Sequence, residues 1–193
     1  MIILVDSTSL ALLINPDANP PTDPNTGEPV KFAKERIELL IASLTPQDTL
    51  VVPTPVLAEV LVKAEDGGPE LLQQISDLSR IRIVPFDTKA AIETAYMTRE
   101  ATQAGDKRSG SSQPWQKVKF DRQIVAIARS VGASKIYSDD EDMAKFAKKI
   151  GIEVTSTWDL PVPENAENLF TAFGLRSDGK NEAENEGSQP EDR

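Results

Sequence analysis

Four consecutive apolar residues, Ile2-Ile3-Leu4-Val5, begin the hydrophobic pattern. An unbroken apolar run of this length predicts a strand buried on both faces. Shorter runs at Leu50-Val51-Val52, Ile81-Arg82-Ile83-Val84, Lys135-Ile136-Tyr137 and 152–155 predict four more strands. Between them, apolar positions recur at helical spacing. They predict helices over 7–14, 30–44, 54–64, 69–78, 88–103, 115–131 and 140–150. Local signals mark some ends: Thr54-Pro55 reads as a capping hydroxyl followed by proline in the first turn, and Gly67-Gly68, Gly132 and Gly151 read as stops. Residues 15–29 carry Pro16, Pro20, Pro21, Pro24 and Pro29 and predict a long loop, as does the Gly/Ser-rich stretch 105–114. A last helical turn is expected near 165–173. Alternating strands and helices predict an α/β fold with a mostly parallel sheet. In such sheets ligands bind beyond the carboxyl ends of the strands.

Composition narrows the chemistry. The 193 residues suit one domain, and 39% hydrophobic with 27% charged residues describes a globular body. No apolar run approaches the ~20 residues of a membrane span. The N-terminus lacks the basic region of a signal peptide, so a cytoplasmic location without membrane contact is expected. There is no cysteine and no histidine. Disulfides, thiolate nucleophiles, Ser-His-Asp triads and histidine zinc sites are therefore excluded. Carboxylates and hard metal ions remain. The net charge of −10 is uneven: residues 177–193 hold six acids against two bases and no large apolar side chain. Such a segment cannot bury a core and is expected to be a disordered acidic tail. The body still carries about −6, so nucleic-acid binding would depend on a local basic patch.

Acidic residues sit where a ligand site is expected. Asp6 directly follows the first strand; it suits a helix N-cap and a catalytic role equally. Glu59 flanks the stripe Val56, Leu57, Val60 and Leu61, and Lys63 at i+4 offers it a surface ion pair. Asp121 precedes Ile124, Val125 and Ala128 at i+3, i+4 and i+7, on the flank of an apolar face. A carboxylate there is costly unless paired, hydrogen-bonded or metal-bound. The alternative is a helix that starts at Asp121, but Val118 and Phe120 favour a helix already under way. Ser138-Asp139-Asp140-Glu141-Asp142 follows the fourth strand. Ser138 and Glu141 have capping-box spacing, yet four consecutive acids repel one another unless a cation offsets them. Strand ends and helix starts face the same edge of a parallel sheet, so these oxygens suit magnesium or manganese.

Four segments in this order resemble the PIN-domain family, which includes VapC-type toxins of toxin–antitoxin pairs. They are Ile3 through Ser9, Val52 through Val60, Phe120 through Ala128 and Ile136 through Met143. The resemblance covers residues 1–160; residues 161–176 read as an extension before the 177–193 tail. It implies a three-layer fold with a five-stranded parallel sheet in the order 3-2-1-4-5. It also implies a Mg2+- or Mn2+-dependent endoribonuclease. By this likeness Asp6, Glu59, Asp121 and Asp140 are the catalytic acids, and Asp6, Asp121, Asp140 and Asp142 would hold metal. Ser138 and Thr8 are supporting hydroxyls. Asp140 is chosen over Asp139 because Asp140-x-Asp142 matches the family spacing. The loops 15–29 and 105–116 and the tail are longer than in compact toxin members.

The implied chemistry is phosphodiester hydrolysis by a metal-activated water, leaving a 5′-phosphate and a 3′-hydroxyl. Lys117, Lys119, Arg122 and Trp115 surround the approach to Asp121 and are candidates to hold RNA; Lys107 and Arg108 lie nearby. A merely solvated helix flank explains them equally well. Family analogy adds a possible antitoxin partner and a homodimer. The alternatives are a PIN nuclease of RNA processing and a non-catalytic PIN module that binds RNA or protein. Other α/β phosphate chemistries fit less well. Thr8 stands where a haloacid-dehalogenase phosphatase needs a second aspartate, and Ser111 stands where a phosphate-binding loop needs lysine.

Overall fold

The five apolar runs form one parallel sheet with strand β1 (Ile2–Val5) at its centre. On one side β1 pairs with β2 (Thr49–Pro53), which pairs with β3 (Ile81–Val84). On the other it pairs with β4 (Lys135–Tyr137), which pairs with β5 (Glu153–Thr155). The order is therefore β3-β2-β1-β4-β5, as the family resemblance implied. Ile3, Leu4, Val51 and Val52 are fully buried, whereas the edge strands β3 and β5 are partly exposed. Central strands of a parallel sheet are covered on both faces, which is why they read as unbroken apolar runs. The computed structural model describes residues 1–15 and 17–164. The helical turn expected near 165–173, most of the 161–176 extension and the acidic tail lie outside the described residues.

Seven helices connect the strands: α1 (Ser7–Ile14), α2 (Ala33–Ser43), α3 (Thr54–Ala64), α4 (Gly68–Asp77), α5 (Thr88–Gln103), α6 (Trp115–Ser130) and α7 (Glu141–Lys149). Crossovers of the usual right hand would place α1 to α4 on one face of the sheet and α5 to α7 on the other, with α3 and α6 meeting. The packing agrees, with α1 against α2 and α3, and α6 between α5 and α7. Helix α6 is the most deeply set, burying Val118, Ile124, Val125, Ala126, Ile127 and Ala128. Met1–Pro163 forms one compact unit. Among the described residues no helix is long and apolar enough to cross a membrane.

Several boundaries differ from the sequence pattern, each for a local reason. Helix α2 begins at Ala33 rather than residue 30 because Phe32 takes a left-handed backbone (φ 57°). The Thr54 hydroxyl does not cap α3; it accepts the Phe86 backbone N–H at 3.1 Å. The β2–β3 register sets Pro53 beside Val84 and so brings that donor within reach. Gly67-Gly68 does not stop α3 either. The turn falls on Glu65 (φ 48°), a short 3₁₀ segment follows, and Gly68 opens α4. Gly132 (φ 71°) and Gly151 (φ 75°) do follow α6 and α7 in the left-handed conformation that only glycine adopts without strain.

Candidate active site

Asp6 stands at the carboxyl end of β1, where its N–H donates to the Tyr137 carbonyl of β4 at 3.1 Å. Its carboxylate then accepts the Ser9 N–H at 2.8 Å and caps α1. The capping role and the place at the sheet edge thus belong to one residue. Asp6 is buried, and burial pushes its carboxyl up to about 6, with the Asp139 charge adding to the rise and hydrogen bonds from Ser138 and Ser9 opposing it.

Asp121 lies in the middle of α6, not at its start, and is only 3% exposed. The N-cap alternative therefore fails, and this carboxylate is held on the buried flank of a helix. Lys117, one turn earlier, donates to both of its oxygens at 3.2 and 3.0 Å. Burial nevertheless raises the Asp121 carboxyl to about 6; Lys117 opposes the rise, and the charges of Asp140 and Asp142 add to it. The Lys117 ammonium also donates to Oδ2 of Asp140. Two carboxylates from different elements thus converge on one cation.

Asp140 is the N-cap of α7: its Oδ1 accepts the N–H groups of Asp142 at 2.8 Å and Met143 at 3.0 Å. The expected Ser138–Glu141 capping box does not form. Buried Ser138 instead accepts the Asp140 N–H at 3.1 Å. Asp139 is committed elsewhere, accepting the backbone N–H of Thr157 at 2.6 Å and its hydroxyl at 2.8 Å. Of the adjacent pair, Asp140 is the one whose free oxygen meets Lys117.

Asp6, Glu59, Lys117, Asp121 and Asp140 line one open cleft of about 600 Å³, with Thr8 and Asp139 on its wall. Gln116, Phe120 and Met143 also line it, and no sequence signal singled them out as site residues. Glu59 is half-buried on α3 and also forms the Lys63 ion pair at 2.9 Å. Among the described residues, no group of three or more acidic side chains stands close enough to hold a metal ion as it is. The donor set still suits a hard divalent ion. Magnesium retains several waters and takes one or two protein carboxylates directly, and Asp121 with Asp140 already share a cation.

Four expectations about individual side chains change. Asp142 does not line the cleft; its carboxylate accepts from the Ser111 hydroxyl and from Lys145 at 3.0 Å, fastening the 105–114 loop to α7. Arg122 is 2% exposed and cannot reach a phosphate in solvent. Its guanidinium stacks over Trp115 and Phe146 and donates to the Lys107 carbonyl at 2.6 Å. The Trp115 ring meets the Lys107 ammonium at 5.2 Å as well as Arg122. Lys117 faces carboxylates rather than an outside anion, whereas Lys119 is exposed, as are Lys107 and Arg108 on the preceding loop. The i, i+4 spacing of Lys117 and Asp121 was a legible signal for their pairing.

These carboxyl shifts fix a pH dependence for the metal-free chain. An unfolded aspartate titrates near ~3.9. Asp6 and Asp121 hold their protons up to about 6 in the fold. Between those values the folded state binds more protons, so stability rises as pH falls from 7 toward 4. Each group contributes at most about 3 kcal/mol. Below pH 4 the trend reverses. Asp48, held at about 2 by the N-terminal ammonium and Thr45, then begins to lose its stabilising charge. Urea melts in chelator at pH 7, 6, 5 and 4 measure this. Stability that stays flat or falls from pH 7 to 5 would show that both carboxyls ionise at least as easily folded as unfolded.

A family model described as the PIN domain matches residues 26–149, a span that contains Glu59, Asp121 and Asp140 but not Asp6. No curated protein matches the sequence. Among solved structures, the chain resembles one from VapBC2 of Rickettsia felis bound to a promoter DNA fragment. That match has 17% identity and a TM-score of 0.54, covering 81% of this chain and 98% of the other. VapBC-1 from nontypeable Haemophilus influenzae gives 16% identity and a TM-score of 0.53, covering 81% and 98%. FitAB bound to the IR36 DNA fragment gives 19% and 0.54, covering 83% and 98%. At such identities the likeness is one of fold.

Proposed function

Because this chain belongs to the PIN-domain family, we propose that it is a divalent-metal-dependent nuclease that hydrolyses RNA phosphodiester bonds. One observation carries the proposal: Asp121 and Asp140 share a cation at the carboxyl edge of the sheet, in a cleft that Asp6 and Glu59 also line. This is where a doubly wound sheet binds its ligand. Asp121 and Asp140 would hold the ion, and Asp6 and Glu59, which line the same cleft, would orient waters around it; Asp142 is not included. When bound, Mg2+ or Mn2+ supplies Lewis acidity and lowers the pKa of its water.

The protein's own part is preorganisation. Capping bonds fix the carboxylates of Asp6 and Asp140, and the rigid interior of α6 fixes Asp121. Ser138 holds the Asp140 backbone, and Thr8 lines the wall. Ser7 and Thr8 also border a second depression of about 540 Å³, which gives a single strand room to extend beyond the reacting phosphate. No nucleophilic side chain is needed, in keeping with a chain that has neither histidine nor cysteine.

The fold likeness to VapBC and FitAB structures favours a toxin with an antitoxin partner over a nuclease of RNA processing; a homodimer is proposed only on the family resemblance. A non-catalytic module is the second reading. The lysine between Asp121 and Asp140, and the absence of a three-acid group among the described residues, favour it. Incubating end-labelled single-stranded RNA with the purified chain separates them. Cleavage is expected with millimolar Mn2+ or Mg2+, leaving 5′-phosphate ends, and chelator should abolish it. RNA left intact under both metals, or cutting indifferent to chelator, would reject the proposal.

A further inference from the structure

Lys117 reaches three carboxylate oxygens, two on Asp121 and one on Asp140, and an ammonium has three N–H donors in all. The two carboxylates come from α6 and from the start of α7, so without a cation they would repel across the packed helix pair. The partners differ in setting. The Asp121 side chain is 4% exposed, whereas that of Lys117 is 40% exposed, so its ammonium enters from the solvent side of the cleft. Lys63 and Glu59 form the same i, i+4 pair, but at 61% and 39% exposure and with a single carboxylate. That pair is an ordinary solvated contact. Lys117 is different because it bridges two acids of the cleft.

We propose that Lys117 is a built-in counter-cation, which holds the charge position between Asp121 and Asp140 until a divalent ion displaces it. The inference rests on the metal-dependent reading above and adds to it that loading is an exchange. One ammonium offsets one of the two carboxylate charges; a divalent ion offsets both. The two cations cannot share the site cheaply. The oxygens a metal would take are already accepting from the ammonium, and a second positive charge beside the first is repelled. Lysine suits such a replaceable role, being a compact charge on a flexible four-carbon stem, and its exposed side gives it an exit to water. Lys117 is thus a positioning residue. It keeps the acid pair assembled in the metal-free chain and weakens metal affinity by competing for the same oxygens.

The test uses the full chain. Lys117→Met keeps the length of the stem and removes the charge. Calorimetric titration with Mn2+ is expected to show binding tightened by roughly tenfold over the parent, the loss of one competing charge-assisted contact. In chelator the variant should melt lower than the parent. A second measurement needs no variant: lysine ammonium groups of the parent are followed by NMR during a Mg2+ titration. The Lys117 signal should move to that of a free surface lysine as the site fills. If the parent binds metal while Lys117→Met binds equally or more weakly, or if the ammonium signal stays put as Mg2+ binds, the exchange is wrong and the metal site stands. If neither protein binds Mn2+ or Mg2+, the metal-dependent reading fails and takes this inference with it.

Discussion

Replacing Asp121 with asparagine is expected to abolish RNA cleavage and the response to metal while leaving the fold intact. The carboxylate is nearly inaccessible, and burial pushes its proton affinity up to about 6. At neutral pH its charge is held against a desolvation penalty that Lys117 only partly offsets. Asparagine retains one acceptor oxygen for Lys117 and removes the charge. The metal-free variant should therefore melt at the parent's temperature or slightly above it. Cleavage should fall by roughly 10²–10³-fold or more, the rate equivalent of several kcal/mol of lost charge stabilisation. An ion at ten times its Kd stabilises the folded parent by about 1.4 kcal/mol, which raises the melting temperature by about 3–6 °C. The variant should show little of that rise. Melts with and without Mn2+, run beside the RNA assay, decide the matter. An Asp121→Asn chain that still gains stability from metal and still cuts RNA would remove Asp121 from the site.

Arg122→Ala is expected to destabilise the α6–α7 region strongly. The guanidinium is packed 5.5 Å over the Trp115 ring and 5.4 Å over the Phe146 ring. It also ties down the 105–114 loop through the Lys107 carbonyl at 2.6 Å and the Ser109 hydroxyl at 3.0 Å. Truncation would leave a cavity between two aromatic rings and strip that loop of its main anchor. The cost is about 2–4 kcal/mol, combining lost packing with lost charged hydrogen bonds. Lysine should not restore it, because an ammonium cannot reproduce a planar fork that stacks and donates at once. Urea melts give the size of the effect, and limited proteolysis should show the loop cut first. A variant that melts within a degree of the parent would mean that Ser111, through Asp142, is enough to hold the loop.

Along the chain Arg122 falls with Lys117 and Lys119 in one short basic stretch. On a helix, neighbours in sequence point in different directions. Arg122 turns inward toward Phe146, Lys117 turns toward Asp140, and Lys119 turns to solvent. Charge counted along the chain could not separate them. Asp142 shows the same limit. Its spacing from Asp140 suggested a ligand, but its partner is Ser111, from a loop 31 positions earlier.

Other features needed only the sequence. Unbroken apolar runs identified β1 and β2 because central parallel strands are buried on both faces, and their pattern survives any tertiary arrangement that buries them; shorter, interrupted runs marked β3, β4 and β5. Helical periodicity located α5, a short run with Ile136 and Tyr137 located β4, and the helical period placed Asp121 on the flank of an apolar face. Asp6 and Asp140 could be placed at strand ends because a strand-to-helix turn is local. Tertiary structure alone decided how those acids meet. Which of Asp139 and Asp140 meets Lys117 depends on Thr157, which takes the Asp139 carboxylate from across the end of the sheet. That Asp121 and Asp140 share one ammonium depends on how α6 lies against α7. Hydrophobic burial is proportional to area and can be read from composition and period, whereas hydrogen bonds and ion pairs are directional and short-ranged. Their partners are fixed only when distant segments have packed.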